Sequence, residues 1–310
     1  MRFPDYVMLR DVSPRDGLQA EPVTLSTEDK LALIDGLARA GLSRVEATSV
    51  VHPKLLPQLA DAEAVMANLT RRAYCRYTVL VPNVRGAERA MTMQPDDITV
   101  FLSASETHNW KNVHRTITES LQELQRVCDM AREHHIPPHA VIVTAFGCPY
   151  EGEVPTSVVV DLAYRLFGMG VRELTLGDTV GVANPRKVQA LFSQLRQDIP
   201  GLNLGAHFHD NRGTALANML AALDAGITLF DTALGGIGGS PFSPGAGGNL
   251  ATEDAVYLLE ESGVATGINL DALLELGDRL EAWLGHPLPS RVRRARGRMV
   301  PVGPEGTVHE

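Results

Sequence analysis

Eight short runs of mainly β-branched and aliphatic residues recur along the chain, separated by longer stretches with helical periodicity, and this alternation constrains the fold more than any other feature. The runs are Val7–Val12, Arg44–Thr48, Tyr77–Val81, Asp97–Ser103, Ala140–Phe146, Glu173–Leu176, Leu204–His209 and Leu229–Ala233. Between them lie amphipathic segments such as Thr27–Ala40, Ile117–Glu133, Thr156–Met169, Pro185–Gln197 and Ala215–Ala225. Start and stop signals frame several of these: Ser26 before an acidic first turn, Pro185 just inside a start, and Gly41, Gly170 and Gly226 at the far ends. Eight strand–helix pairs joined by right-handed crossovers close into a (β/α)8 TIM barrel. A doubly wound open sheet is the structural rival. It would carry a glycine-rich phosphate turn after the first strand, where this chain reads SPRDGLQ.

The 310 residues suit one barrel, expected over 1–288, with 289–310 an Arg-rich then Gly/Pro-rich tail read as mobile. Hydrophobic residues make up 44% and aromatic residues 5%, so the expected core is Val, Leu, Ile and Ala in tightly layered strands. The formal charge of −9 supplies no general basic field for nucleic acid or an anionic membrane. Cys75, Cys128 and Cys148 are scattered and odd in number, which argues against a disulfide framework or structural zinc and fits a reducing cytoplasm. No secretory signal or membrane span is evident, so the expected setting is cytoplasmic.

Barrel enzymes place their chemistry at the carboxyl ends of the strands, and here those ends are polar. The first reads Arg10-Asp11-Val12-Ser13-Pro14-Arg15-Asp16, the second carries Glu46 and Thr48, the sixth runs into Gly177-Asp178-Thr179, and the seventh ends His207-Phe208-His209-Asp210. A strand repeats every two residues, so His207 and His209 share a face directed into the mouth. Two imidazoles and a carboxylate suit a divalent ion with open coordination positions, and Asp16 is the natural carboxylate because only strand eight separates strands one and seven. After strand eight comes a glycine-rich stretch, Gly235–Gly248, leading into Asn249-Leu250-Ala251-Thr252-Glu253-Asp254. Such glycine content costs backbone entropy in a plain connector and is expected in a mobile loop that folds over a ligand.

RDGLQ at Arg15–Gln19, VEATSVVHPKLLPQLAD, GCPYEG around Cys148, GDTVGVANP, HFHDNRGTALAN and GNLATED together resemble the 3-hydroxy-3-methylglutaryl-CoA lyase family. That family sits among the metal-dependent barrel lyases and synthases that include isopropylmalate and homocitrate synthases. The resemblance spans roughly residues 7–285 in unbroken order. It implies that Asp16, His207, His209 and Asn249 ligate one Mg2+ or Mn2+, with no organic cofactor and with CoA as part of the substrate. It implies that Arg15 neutralises a developing enolate oxygen, that Glu46, Gln19 and Asp178 orient ligands or substrate, that His207 takes part in proton transfer, and that Lys111 lies near the CoA phosphates. A homodimer is also implied.

The chain departs from the family in two places. Ser240 stands where the family's loop carries a cysteine that completes the reaction as an acid, and an alkanol is far less acidic than a thiol of pKa ~8.5. Val141 and Val143 stand where the family has a Tyr and a Ser facing the substrate, so the pocket wall is more apolar. Both point to a lyase acting by retro-Claisen cleavage on a 3-hydroxyacyl-CoA related to 3-hydroxy-3-methylglutaryl-CoA, with altered preference at C3. A condensing acyltransferase on the same barrel, or a non-catalytic CoA- or metal-binding homologue, are the competing functions. Cys148 reads as a packed small hydrophobe, and His108, His114, His134 and His135 read as solvated.

Overall fold

The computed structural model describes residues 3–239 and 248–297. Eight parallel strands close in sequence order: β1 (Met8–Asp11), β2 (Arg44–Ser49), β3 (Arg76–Leu80), β4 (Asp97–Ser103), β5 (Pro138–Val143), β6 (Glu173–Asp178), β7 (Asn203–Phe208) and β8 (Leu229–Thr232). Closure comes from β8 pairing with β1, where Met8 lies opposite Leu229 and Asp11 opposite Thr232. Helices surround this barrel: α1 (Thr27–Arg39), α2 (Ala62–Asn68), α3 (Val84–Met93), α4 (Glu106–Val113), α5 (Ile117–Glu133), α6 (Thr156–Gly168), α7 (Pro185–Asp198), α8 (Ala215–Asp224), α9 (Thr252–Glu261), α10 (Leu270–Leu284) and the short α11 (Arg291–Arg294). None of the described helices is long and apolar enough to cross a membrane.

Local chemistry accounts for the boundaries. Ser26 caps α1 by accepting from the Asp29 amide at 3.1 Å, and Thr116 and Glu119 form a reciprocal capping box on α5. Gly41 ends the first helical unit at φ 107°, where an added Cβ would sit 2.3 Å from the Gly267 carbonyl oxygen. The fifth strand is shorter than the expected Ala140–Phe146. It stops at Val143 because Thr144 adopts φ 57°, a left-handed turn that no ladder continues.

Packing separates into two shells. Leu9, Val45, Val79, Val100, Ile142, Leu174, Ala206 and Phe230 are buried in one apolar layer shared with the helices. The alternate residues, facing the barrel axis, correct the expectation of an aliphatic interior. Arg10 of β1 reaches across to His139 Nδ1 on β5 at 3.2 Å, Glu173 Oε1 on β6 at 3.2 Å, Thr175 Oγ1 at 3.1 Å and Asp231 Oδ1 on β8 at 2.8 Å. Arg44 then joins Glu173 to Asp97, and Arg76 also pairs with Asp97. Aliphatic composition fills the layer beneath the helices and says nothing of the axis, where period-two alternation sets charged residues opposite one another.

The Arg-rich stretch after 288 is packed onto the barrel as far as Gly297. The Asp254 carboxylate accepts from Ser290 Oγ, Arg291 N and Val292 N at 2.8, 3.0 and 2.8 Å, while Arg293 pairs with Glu281 and Asp278, each at 2.6 Å. A charge run reads as solvated only while its partners on other elements are unknown. Residues 298–310, including the Gly/Pro-rich end, lie outside the described residues.

Candidate active site

The turn that follows β1 builds one side of the mouth. Arg15, Asp16 and Gly17 all direct their amides at the Val12 carbonyl, at 3.2, 2.7 and 3.2 Å, which turns the Arg15 and Asp16 side chains inward. Asp16 is buried and held on both oxygens. Its Oδ1 accepts from Arg15 Nη1 at 2.6 Å and Gln19 Nε2 at 2.7 Å, and its Oδ2 accepts from Asn249 Nδ2 at 2.7 Å. Arg15 is fixed in turn by Glu46 of β2, where the pairing with β3 slips between Glu46 and Thr48. Such a bulge re-aims the side chain beside it.

From the opposite side β7 supplies the two imidazoles. His207 Nε2 and His209 Nε2 lie 3.1 Å apart, and His207 Nε2 is 4.0 Å from Asp16 Oδ2. Donor atoms of Asp16, His207 and His209 fall within 4.8 Å of one another, and all three residues are buried. An octahedral ion with bonds of about 2.1 Å puts adjacent donors about 3.0 Å apart and opposite donors about 4.2 Å apart, the range in which the 3.1 and 4.0 Å separations fall. Asn249 lies beside this group, its Nδ2 donating to Asp16 Oδ2 at 2.7 Å and to the Ile237 carbonyl at 3.1 Å. Its side-chain carbonyl oxygen is buried with no hydrogen-bond partner among the described residues, which leaves its lone pairs open to a ligand. It reaches the site because Gly248 and Leu250 extend β7, the Gly248 carbonyl accepting from Asp210 N and Leu250 N donating to Phe208 O, each at 3.0 Å. Gly238, at φ 111°, lets this crossing chain approach closely. A Cβ there would lie 2.5 Å from Asn249 Nδ2 and 3.0 Å from the Asp16 carbonyl.

Electrostatics follow the same division. Burial opposes the Asp16 charge, but Arg15 and the two imidazoles outweigh it and hold the carboxyl below its ordinary value. For His207, burial is again opposed and outweighed, here by the Asp231 hydrogen bond and the Asp16 charge, and its pKa is raised. Asp178, at the end of β6, goes the other way. Burial pushes it up to about 6, although Val182 N and Ala183 N donate to it at 2.8 and 3.0 Å.

Of the residues singled out in the sequence, Arg15, Asp16, Gln19, Glu46, His207, His209 and Asn249 form one contact network. Val141 and Val143 lie against Gly177, just before Asp178: a Cβ on Gly177 would be 3.8 Å from Val141 Cγ1 and 3.4 Å from Val143 Cα. Lys111 sits apart on α4 with its ammonium 4.9 Å from the Tyr150 ring centroid. Ser240 falls outside the described residues. His108 is not solvated, as the sequence suggested. It is buried, bonded to Ser103 Oγ, and its pKa is pushed down to about 4 by that burial. The sequence reading passed over Asp231 and named Arg10, Thr252 and Glu253 only as members of runs; Thr252 Oγ1 donates to Asp11 Oδ2 at 2.7 Å and Glu253 Oε2 accepts from Gly235 N at 2.8 Å. The inward parity of Arg10 and Asp231 within their strands was the available signal.

Fold and site define a class, the (β/α)8-barrel enzymes whose carboxyl-end mouth can hold one divalent cation. The family profile described as HMGL-like matches residues 6–280. Hydroxymethylglutaryl-CoA lyase YngG of Bacillus subtilis is 47% identical over 291 residues, covering 94% of this chain and 97% of that protein. The cytoplasmic 3-hydroxy-3-methylglutaryl-CoA lyase of Rattus norvegicus is 40% identical over 293 residues, covering 94% and 85%. Among solved structures, an HMG-CoA lyase from Acinetobacter baumannii in complex with coenzyme A and 3-methylmalate matches with TM-score 0.92 and 40% identity, over 97% of this chain and 100% of that one. The chain belongs to the 3-hydroxy-3-methylglutaryl-CoA lyase family and is a carbon–carbon lyase.

Proposed function

We propose that this enzyme cleaves 3-hydroxy-3-methylglutaryl-CoA or a close relative altered at C3, by retro-Claisen chemistry, to an acyl-CoA and a keto acid. The observation carrying this reading is the locked set Arg15–Asp16–Gln19–Asn249 beside His207 and His209, which joins an acceptor cluster to one fixed cation. Asp16, His207, His209 and Asn249 would hold Mg2+ or Mn2+, and the family is divalent-metal dependent. When bound, such an ion supplies Lewis acidity at the substrate's hydroxyl and neighbouring oxygen.

Asp178, with its pKa near 6, accepts the C3 hydroxyl proton. The C2–C3 bond then breaks, its electron pair stays on C2 as a thioester enolate, and the C3 oxygen becomes the ketone of the departing keto acid. Arg15, aimed by Glu46, stabilises the enolate oxygen in a dry site. A proton returned to C2 completes the acyl-CoA, through His207 or through Ser240 and water. Gln19 and Glu46 orient substrate and ligands, Val141 and Val143 face the C3 substituent, and Lys111 approaches the CoA phosphates. The three buried free cysteines support a reducing cytoplasmic setting. We expect a homodimer, which light scattering checks.

The test is thioester cleavage by the purified enzyme, with no keto acid added, on 3-hydroxy-3-methylglutaryl-CoA and on analogues with larger C3 groups. Cleavage that needs Mg2+ or Mn2+ and favours an analogue is the expected result. Turnover of the parent compound equal to that of a cysteine-bearing relative removes the altered preference. Absence of cleavage on every substrate removes the lyase assignment for these compounds.

A further inference from the structure

We infer that Arg10 and Asp231 act as a polarised relay that fixes which nitrogen of His207 faces the cation site, making them positioning residues for the metal. This rests on reading Asp16, His207 and His209 as ligands. His207 Nδ1 lies 3.2 Å from Asp231 Oδ2, while its Nε2 points to His209 and Asp16. An ionised carboxylate can only accept, so Nδ1 carries the hydrogen and Nε2 keeps its lone pair for the ion.

Asp231 is itself given a direction. Its other oxygen, Oδ1, receives Arg10 Nε at 2.8 Å and Nη2 at 2.6 Å. Arg10 cannot turn away, because it is fully buried and its remaining donors are spent on Glu173, His139 and Thr175. One oxygen of Asp231 is therefore committed to a guanidinium and the other to an imidazole.

This asymmetry sets the outcome of a neutral, same-shape substitution. In Asp231→Asn, Arg10 claims the amide oxygen, since a donor cannot face its donors. The amide NH2 then points at His207 Nδ1, which must accept, and the hydrogen moves to Nε2. That nitrogen loses the lone pair needed for the ion, although every contact distance is kept. Adding Arg10→Met removes the donors that aimed the amide. The Asn oxygen can then turn to His207 and restore the ligating tautomer. Glu173 keeps Arg44, and His139 keeps Thr99 Oγ1 at 3.0 Å, so these two vacated positions retain partners.

The experiment measures Mn2+ binding to the full chain, from the electron paramagnetic resonance signal of free ion, alongside circular dichroism and melting. Wild type is expected to bind one Mn2+, His207→Ala to lose it, D231N to bind roughly 10- to 100-fold more weakly, and R10M/D231N to regain most of that loss. Wild-type affinity in D231N, or a double variant no tighter than D231N, overturns the relay while leaving the ligands in place. Unchanged binding in His207→Ala overturns the ligand reading itself, and the relay with it. Should D231N not fold, histidine 15N shifts of metal-free wild type above neutral pH decide: Nδ1–H on His207 supports the relay, and Nε2–H overturns it.

Discussion

At the amino end of the barrel axis, Arg10, Arg44 and Arg76 are interleaved with Asp97, Glu173 and Asp231, each cation touching at least one of the carboxylates. At the carboxyl end, Asp16, His207 and His209 bring donor atoms within 4.8 Å of one another, with Asn249 hydrogen-bonded to Asp16 and Arg15 as the flanking cation. Both regions bury polar groups among strands of the same barrel, and each carries a desolvation cost. The first closes its charges on one another, Asp231 alone turning its second oxygen to His207. The second gathers the acceptor atoms of Asp16, His207 and His209 and leaves Asn249 Oδ1 without a hydrogen-bond partner among the described residues, an arrangement a cation would complete. Surplus acceptors, rather than burial of charge as such, mark the functional end.

The sharpest way to break this contrast is to remove an acceptor. Asp16→Asn is expected to abolish measurable Mn2+ binding and to lower turnover by about 10³-fold or more, several kcal/mol of lost charge stabilisation, with a smaller loss of fold stability because Glu46 still pairs Arg15. At the amino end the pattern reverses. Asp97, held down to about 2 by Arg44 and the Thr78 hydroxyl against the cost of burial, is expected in Asp97→Asn to lower stability by about 3–5 kcal/mol while Mn2+ affinity stays put. Urea unfolding and ion titration on one preparation check both. The sign with pH is fixed: a depressed carboxyl stabilises the fold above its ordinary value of 3.8 and loses that contribution as pH falls through about 2, so the variant lacks this acid limb.

Arg15→Gln is expected to lower kcat by about 10²-fold or somewhat more with little change in KM, because its cation acts on charge formed during the reaction. A loss confined to KM would make Arg15 a binding group and weaken the contrast. The smallest effect belongs to Glu253, buried behind the mouth, where both oxygens accept from Gly235 N. Burial raises it from 4.5 to about 8, so the folded chain prefers its neutral form. Its contribution is complete below about 4.5 and is lost as pH rises toward 8. Glu253→Gln, always neutral, is expected to melt a few degrees above wild type near pH 8 and level with it near pH 5, by scanning calorimetry.

Much of this was legible in one dimension. Strand–helix alternation gave eight strands in order, with most ends within two residues, because hydrophobic period and capping chemistry are local. His207 and His209 announced a shared face for the same reason. The end of β5 differs from the expected one because Thr144 turns left-handed in a run dominated by Val, Ile, Thr and Phe, which favour strands. His108 looked solvated because its neighbours in sequence are polar, whereas its burial comes from α4 lying against β4.

The sequence by itself determined the barrel, the family and the donor types at the strand ends, since each is written in short-range pattern or in the identity of single residues. Only the tertiary structure decided which charges meet. Arg10 and Asp231 are 221 positions apart and touch because β8 closes on β1, and Asn249 finds Asp16 across 233 positions because it bridges to His209 beside the end of β7. Ring closure brings the chain's ends together at the axis, and no local periodicity encodes a contact made by closure.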